Sequence, residues 1–364
     1  MPMLVGIPSE HTATERRVAA TPTSIATLVE LGAEVIVEAG AGDGAGLPDH
    51  AFTQAGAEVV ASLAERAPLD ALLCVAPPFA GLADLVMDGG AIVGFLDPSH
   101  HADELAALAS RGVDAVAIEM IPRTTLAQAM DGLSSQATAA GYAAVLLGAS
   151  EMPKFMPMLV TAAGTIPPAR ALILGVGVAG LQAIATARRL GAVVYAYDIR
   201  PETREQVESL GARFVDAPTQ EMDEGGYARA VDDDLAARQR EVLATVVAES
   251  DLVITTAQVP GRTAPRLIDA DVVARMRPGS VVIDMAAASG GNVEGSIPDE
   301  RVDVGGVTIL GPTDLAARVA EDASRMFARN LTEVFTRMVT DGALNVDPED
   351  PVVGPALARG GGAS

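Results

Sequence analysis

The sequence predicts an α/β protein built from two doubly wound domains. Short β-branched runs alternate with helical patterns along the chain, 49% of the 364 residues are hydrophobic, and charged residues make up 20%. A chain of this length divides, by the usual size of a domain, into about two folding units. Because the apolar content and the charge both lie in the globular range, a disordered or fibrous protein is excluded.

The first half of the chain shows the alternation in order. Apolar and β-branched runs predict strands at residues 3–7, 34–37, 72–75, 91–96 and 115–118. Helical spacing predicts helices at residues 23–31, 103–110 and 127–147. We therefore expect a Rossmann-like N-terminal domain over residues 1–128.

Prolines punctuate the chain between residues 153 and 168, and a second alternation follows. It predicts strands at residues 171–174, 192–197, 252–256, 281–284 and 307–310. We expect a second Rossmann-like domain over residues 134–319, with a ligand cleft between the two domains. A long amphipathic helix at residues 315–339 then returns the chain to the first domain, so that residues 320–364 join it. Residues 216–238 read as a mobile surface loop.

Composition excludes several classes of function. The net charge of −23 disfavours nucleic acid as a partner. Cys74 is the only cysteine, which fits a reducing cytoplasm, and neither a signal peptide nor a membrane span is predicted. The histidines lack the spacing of a metal site, and no activated serine nucleophile is visible.

A glycine-rich turn follows the strand at residues 171–174. The sequence Gly175-Val176-Gly177-Val178-Ala179-Gly180 has the spacing G-x-G-x-x-G and opens a helical pattern. In such turns the first glycine permits a tight bend, the second lets the backbone approach a diphosphate, and the third allows close packing of helix on strand. The turn predicts a dinucleotide site, although a glycine-rich turn without a ligand has the same sequence.

The next strand ends in Asp198, followed by Ile199 and Arg200. An acid at this spacing accepts hydrogen bonds from the adenine ribose and repels a 2′-phosphate, which favours NAD over NADP. Arg200 complicates this interpretation, because a cation there favours a 2′-phosphate. The alternative is that Asp198 caps the helix after Pro201.

A polar segment lies between the two predicted domains. Residues 121–135 contain Arg123, Gln128, Asp131 and Ser134 directly after a predicted strand. Ligands of open α/β sheets bind beside the carboxyl ends of strands, so this segment is a candidate nicotinamide site. A capped connection with an internal pair between Arg123 and Asp131 explains the pattern equally well.

With these residues in view, the chain resembles the NAD(H)-binding subunits of proton-translocating nicotinamide nucleotide transhydrogenases over nearly its whole length. The matching motifs are residues 6–10, 15–18, 120–123, 128–131, 133–136, 161–170 and 175–187. The resemblance implies that Arg123, Gln128, Asp131 and Ser134 act at the nicotinamide. The resemblance implies further cofactor-binding residues at Thr124, Thr125, Ala129, Met130, Gln239 and Gln258. It also implies that Gly226 and Tyr227 bind the cofactor from a loop that closes over the nucleotide.

The resemblance also implies a reaction and its partners. Hydride passes from NADH on this chain to NADP⁺ on a partner subunit, coupled to proton movement through a membrane-spanning subunit. The chain is then a cytoplasmic protein, held peripherally at the membrane through its partners without inserting itself, and a homodimer.

Two alternatives remain. Alanine dehydrogenases share the fold and the N-terminal motif, but where that family has its substrate-site Lys and His this sequence has Ala76 and Asp97. A non-catalytic NADH sensor needs the same nucleotide site and no hydride acceptor.

Overall fold

The computed structural model describes residues 2–10, 14–79, 81–217, 233–258 and 262–358, with only the backbone of residues 233–239. The chain divides into two compact units. The first comprises Met1–Ala139 and Ala316–Ser364, and the second comprises Ala140–Leu315.

The strands and helices alternate along the chain. The strands are β1 (Met3–Ile7), β2 (Ala33–Glu38), β3 (Glu58–Val60), β4 (Leu69–Leu73), β5 (Val86–Gly94), β6 (Asp114–Ala117), β7 (Leu159–Thr161), β8 (Gly164–Ile166), β9 (Arg170–Leu174), β10 (Val193–Tyr197), β11 (Arg213–Phe214), β12 (Leu252–Thr255), β13 (Val281–Asp284), β14 (Arg301–Val304), β15 (Val307–Leu310), β16 (Val339–Thr340) and β17 (Ala343–Leu344). The helices are α1 (Pro22–Glu30), α2 (Asp49–Gln54), α3 (Ala102–Ser110), α4 (Gly132–Glu151), α5 (Val178–Arg189), α6 (Thr203–Ser209), α7 (Asp233–Ala248), α8 (Ala270–Val273), α9 (Ala320–Arg337) and α10 (Val353–Ala356).

The first unit is built on a parallel six-stranded sheet of order β3-β2-β1-β4-β5-β6. This is the strand order of the Rossmann fold, which reverses direction between β1 and β4. Both faces of the sheet are buried, because neighbouring residues of one strand enter opposite cores: Val35 and Val37 pack with α1 and α9, and Ile36 packs on the other side.

The second unit repeats this plan with seven strands in the order β11-β10-β9-β12-β13-β15-β14. All neighbours are parallel except β14, which pairs antiparallel with β15. Ala171 and Ile173 of β9 enter one core, and Leu172 and Leu174 enter the other. The order again reverses beside the first strand, here between β9 and β12.

The predicted α/β class with two doubly wound sheets is confirmed. Most predicted strands appear within a few residues of their expected bounds, whereas β3, β7, β8, β11, β14, β16 and β17 were not predicted. The predicted loop at 216–238 is wrong at its end, since α7 begins at Asp233. Residues 218–232 of that loop lie outside the described residues.

No described helix combines the length and the apolar character needed to cross a bilayer.

Carboxylates cap the strand ends at the carboxyl edge of the first sheet. Glu10, which follows β1, accepts the N–H groups of Val75 and Ala76 after β4, at 2.6 Å and 3.2 Å. Glu119, which follows β6, accepts those of Leu96 and Asp97 after β5, at 3.0 Å and 2.6 Å. These amides lie beyond the last ladder bonds of their strands and would otherwise need water or a ligand.

The position of Glu10 perturbs its ionisation. Burial raises the pKa of Glu10 from 4.5 to about 7, and the hydrogen bonds from Val75 and Ala76 offset only part of that shift. Burial also raises the pKa of Glu119. Because the folded chain holds the proton of Glu10 more tightly than the unfolded chain, this group stabilises the fold most below pH 4.5. The contribution is lost as the pH rises through about 7.

Glu10→Gln should therefore change the pH dependence of stability. Glutamine stays neutral, so between pH 5 and pH 8 the free energy of unfolding should shift by up to ~3 kcal/mol in favour of the variant relative to wild type. Urea unfolding at several pH values measures the difference, with Glu30→Gln at the exposed end of α1 as the matched control. Parallel pH profiles for wild type and Glu10→Gln would contradict the assignment.

Candidate functional site

The glycine-rich turn joins β9 to α5 at the point where the second sheet reverses its strand order. Gly177 is the N-cap residue of α5. The first N–H groups of any α-helix have no acceptor within the helix, and they carry the positive end of its dipole. Gly177 and Val178 are exposed, so this end of α5 is open to a ligand.

Each glycine of the turn meets a different steric demand. Gly175 has φ +96°, and a Cβ there would lie 2.5 Å from Thr256 Oγ1. A Cβ at Gly180 would lie 2.0 Å from the carbonyl oxygen of Gly175, so glycine lets α5 pack on the turn. At Gly177 a Cβ would meet no atom within 4 Å. Glycine is not needed there for packing within the chain, but it leaves room for the backbone to approach a diphosphate.

Asp198 lies at the carboxyl end of β10, beside this turn. Its Oδ2 accepts the N–H of Val176 at 2.7 Å, which ties the acid directly to the glycine-rich backbone. Asp198 is buried, at 7% exposure, while Ile199 is exposed at 62%. The alternative interpretation of Asp198 as a helix cap is not what the structure shows, because the N-cap of α6 is Glu202 and has no side-chain cap.

Arg200 folds back onto Asp198. Its Nε and Nη2 donate to the two carboxylate oxygens at 2.9 Å and 3.0 Å, and its backbone N–H donates at 2.9 Å. Burial by itself would raise the pKa of Asp198, but the hydrogen bonds from Arg200 and Val176 outweigh it and lower the pKa. Asp198 is thus a charged acceptor at neutral pH. The Arg200 side chain is 47% exposed, so solvent partly screens this ion pair.

The structure describes the remaining predicted cofactor-binding residues of the second unit to different extents. Gln258 follows β12, is exposed, and donates from Nε2 to the carbonyl of Met285 at 2.7 Å. Gln239 lies on α7, where only the backbone is described, and Gly226 and Tyr227 lie outside the described residues.

The 123–134 segment belongs to the first unit. Its exposed residues are Arg123, Thr124, Thr125, Leu126, Gln128 and Ala129. Ala127 and Met130 alternate with them and are buried in the core of the first unit, at 1% and 5% exposure. The segment therefore presents Arg123 and Gln128 to solvent from an anchored backbone, while Asp131 and Ser134 are partly buried.

Asp131 lies just before α4 and bonds to its first turn rather than pairing with Arg123. Its Oδ1 accepts the N–H of Ser134 at 2.8 Å, and its Oδ2 accepts the hydroxyl of Ser134 at 2.6 Å. This is the geometry of an N-capping acid, which satisfies one of the free amides at a helix start. Arg123 forms no ion pair with Asp131 or with any other residue that the structure describes, so the expected internal pair is not formed.

Sequence reasoning missed two residues that hold these segments. Thr256, after β12, donates its hydroxyl to the carbonyl of Gly175 at 3.0 Å. Asn330, on α9, donates from Nδ2 to the carbonyl of Ala129 at 2.7 Å. For Asn330, the sequence carried one signal: a polar residue on the predicted apolar face of a helix. Asn330 lies between the apolar residues Ala328 and Leu331, and the structure buries it.

Family models match both halves of the chain. The model described as "Alanine dehydrogenase/PNT, N-terminal domain" matches residues 6–140. The model described as "Alanine dehydrogenase/PNT, C-terminal domain" matches residues 144–363.

Similar proteins carry consistent names. The first part of the NAD(P) transhydrogenase subunit alpha of Rhodospirillum rubrum is 44% identical over 344 residues, covering 92% of this chain and 90% of that one. The crystal structure of transhydrogenase from Sinorhizobium meliloti has a TM-score of 0.89 and 42% identity, with 97% of each chain covered. The alanine dehydrogenase of Mycolicibacterium smegmatis is 32% identical over 302 residues, or 81% of this chain and 76% of that one.

The resemblance drawn from the sequence motifs is confirmed by these similarities. The chain belongs to the alanine dehydrogenase/PNT family, and the transhydrogenases named above share more identity with it than the alanine dehydrogenase does.

Proposed function

We propose that this chain is the NAD(H)-binding subunit of a proton-translocating transhydrogenase and that it exchanges hydride between NADH and NADP⁺ on a partner subunit. The observation that carries NAD(H) binding is the open turn at Gly177, with the charged acceptor Asp198 bonded to the turn itself. The identity of the hydride acceptor is supported by the similarity to relatives named transhydrogenase.

The second unit would hold the adenosine half of the nucleotide. The N–H groups at the start of α5 suit a diphosphate, because they combine unpaired donors with the positive end of the helix dipole. Asp198 suits the two ribose hydroxyls and, as an anion, disfavours a 2′-phosphate. Ile199 offers an exposed apolar surface to the adenine, and Gln258 would contact the same half of the nucleotide.

The 123–134 segment would hold the nicotinamide end. When bound, the reduced nicotinamide supplies the hydride, so the residues of this chain need only orient the ring and exclude water. Ser134 donates its hydroxyl hydrogen to Asp131, which leaves its oxygen free to accept from a carboxamide N–H. Arg123 and Gln128 are exposed donors that suit the ribose and phosphate oxygens beside the ring.

The carboxyl edge of the first sheet argues against oxo-acid reduction. Ala76 and Asp97, which replace the substrate-site Lys and His of alanine dehydrogenases, have their amides occupied by glutamates. Arg17 is bound at 2.6 Å by Glu15 and at 2.8 Å by Gln136. An anionic oxo acid would find those amides already bound by glutamates and the arginine already paired with Glu15.

The partners follow from the same proposal. An NADP-binding subunit would supply the hydride acceptor, and a membrane-spanning subunit would couple the exchange to proton movement. The chain would act as a homodimer on the cytoplasmic side of the membrane, attached through these partners.

A turnover assay tests the proposal. The purified chain should oxidise NADH when NADP⁺ and a separately purified NADP-binding transhydrogenase domain are both present, and it should not do so with pyruvate and ammonium. The NADP-binding domain without this chain serves as the control. Turnover with pyruvate and ammonium alone would establish an alanine dehydrogenase, and tight NADH binding with no turnover in either assay would establish a sensor.

Two glycine substitutions should separate ligand binding from folding. Gly177→Ala adds a methyl group where no atom lies within 4 Å, so it should keep the wild-type unfolding temperature and weaken NADH binding at least about tenfold. Gly180→Ala places a methyl group 2.0 Å from the Gly175 carbonyl, so it should cost ~2 kcal/mol of stability. Fluorescence titration with NADH and urea unfolding measure the two effects. Unchanged NADH affinity in Gly177→Ala would remove the turn from the nucleotide site.

A further inference from the structure

The 123–134 segment is anchored by its buried residues, but only short-range backbone bonds shape its turns. Ala127 N–H donates to Thr124 at 3.1 Å, and Met130 N–H donates to Ala127 at 2.8 Å. Bonds of this range fix the shape of a turn without fixing its direction relative to the rest of the unit. Beyond the packing of Ala127 and Met130, a hydrogen bond from a longer helix would fix the direction of the short turn at Gln128–Met130.

Asn330 of α9 supplies that contact. Its Nδ2 donates to the carbonyl of Ala129 at 2.7 Å, in the middle of the Gln128–Met130 turn. Its Oδ1 accepts the hydroxyl of Ser135, in the first turn of α4, at 2.6 Å. One amide group thus joins α9 to both the turn and the helix that follows Asp131.

The surroundings hold this amide in one orientation. Asn330 is 7% exposed, and its neighbours on α9, Phe327 and Leu331, are fully buried in the core of the first unit. Gln136 donates to Ser135 Oγ at 3.2 Å and to the carbonyl of Ala323 at 3.1 Å, which ties α4 to α9 a second time. Because both ends of the Asn330 amide have defined partners, the side chain cannot flip without losing both bonds.

A buried amide on a core helix has a cost that an apolar residue would avoid. Leucine is a better helix former than asparagine and needs no hydrogen-bond partner. The two bonds of Asn330 offset that cost, and they join the amide to the Ala129 carbonyl and to Ser135. Both groups flank Asp131, the residue that orients the Ser134 hydroxyl.

We propose that Asn330 is a positioning residue for hydride transfer, acting through the backbone of Gln128–Met130 and the start of α4 on the groups that orient the nicotinamide. The inference rests on the proposed function. Loss of the Asn330 donor then misdirects Gln128 and Ser134 while leaving the turn at Gly177, which holds the diphosphate, unchanged. The rate of hydride transfer then falls, while the affinity for NADH is retained.

Asn330→Asp tests this with little change of volume, since the carboxylate still accepts from Ser135 but no longer donates to Ala129. In the complex with the NADP-binding partner, kcat should fall by about 10- to 100-fold, while the Kd for NADH changes less than about threefold. Asn330→Ala should reproduce the split. Thr332→Val is the matched control, because Thr332 is a buried polar residue of α9, at 8% exposure, whose hydroxyl donates to the carbonyl of Ala328 in the same helix at 2.7 Å.

Hydrogen exchange at the amides of residues 128–131 in the free chain provides a second readout that needs no turnover. Exchange should be faster in Asn330→Asp than in wild type and unchanged in Thr332→Val. Wild-type kcat in Asn330→Asp, or losses of kcat and NADH affinity in equal proportion, would overturn the inference. If the wild-type chain itself transfers no hydride to NADP⁺, the proposed function fails. In that case, exchange at residues 128–131 that is the same in Asn330→Asp as in wild type would separately rule out positioning by Asn330.

Discussion

The backbone amides at the carboxyl edge of a parallel sheet must find acceptors, and the side chains of the two units meet that requirement to different extents. In the first unit, Glu10 and Glu119 accept the amides that follow β4 and β5. In the second unit, Asp198 likewise accepts the amide of Val176, but Gly177 and Val178 at the start of α5 are exposed. Since both sheets reverse their strand order at the same relative place, the difference lies in the side chains and not in the topology.

This contrast explains why one scaffold repeated in a chain need not bind two ligands of one kind. A glutamate whose carboxylate occupies the switch point of the first sheet takes the place that an anionic ligand would take. The protein therefore keeps a carboxylate of raised pKa inside its first unit, which makes stability depend on pH near neutrality. The second unit keeps an acid of lowered pKa, Asp198, which is charged at neutral pH.

The fold and the glycine-rich turn were predictable because they depend on local patterns. Buried strands such as β9 and β13 show uninterrupted apolar runs, and the spacing of Gly175, Gly177 and Gly180 follows from the geometry of the turn. Edge strands such as β14, whose residues alternate between exposed and partly buried positions, have no such run. Two-residue strands are too short for any periodicity to show.

The site contacts that were not predictable join residues far apart in sequence or depend on a side-chain rotamer. The bond from Asn330 to Ala129 spans 201 positions, and no local pattern records it. Arg200 and Asp198 are two residues apart, yet only the conformation of the arginine shows that it closes over the acid. The sequence suggested Arg123 as a partner of Asp131, whereas the structure pairs Asp131 with Ser134, because a helix start needs an acceptor for its first amides.

The proposed function requires one NADH to contact both the turn at Gly177 and the 123–134 segment. Hydrogen exchange with and without saturating NADH measures both contacts in one experiment. Slower exchange is expected at residues 176–181 and also at residues 124–135, with no change at the exposed end of α1. Protection confined to residues 176–181 would contradict it, because the nicotinamide would then lie away from Arg123, Gln128 and Ser134.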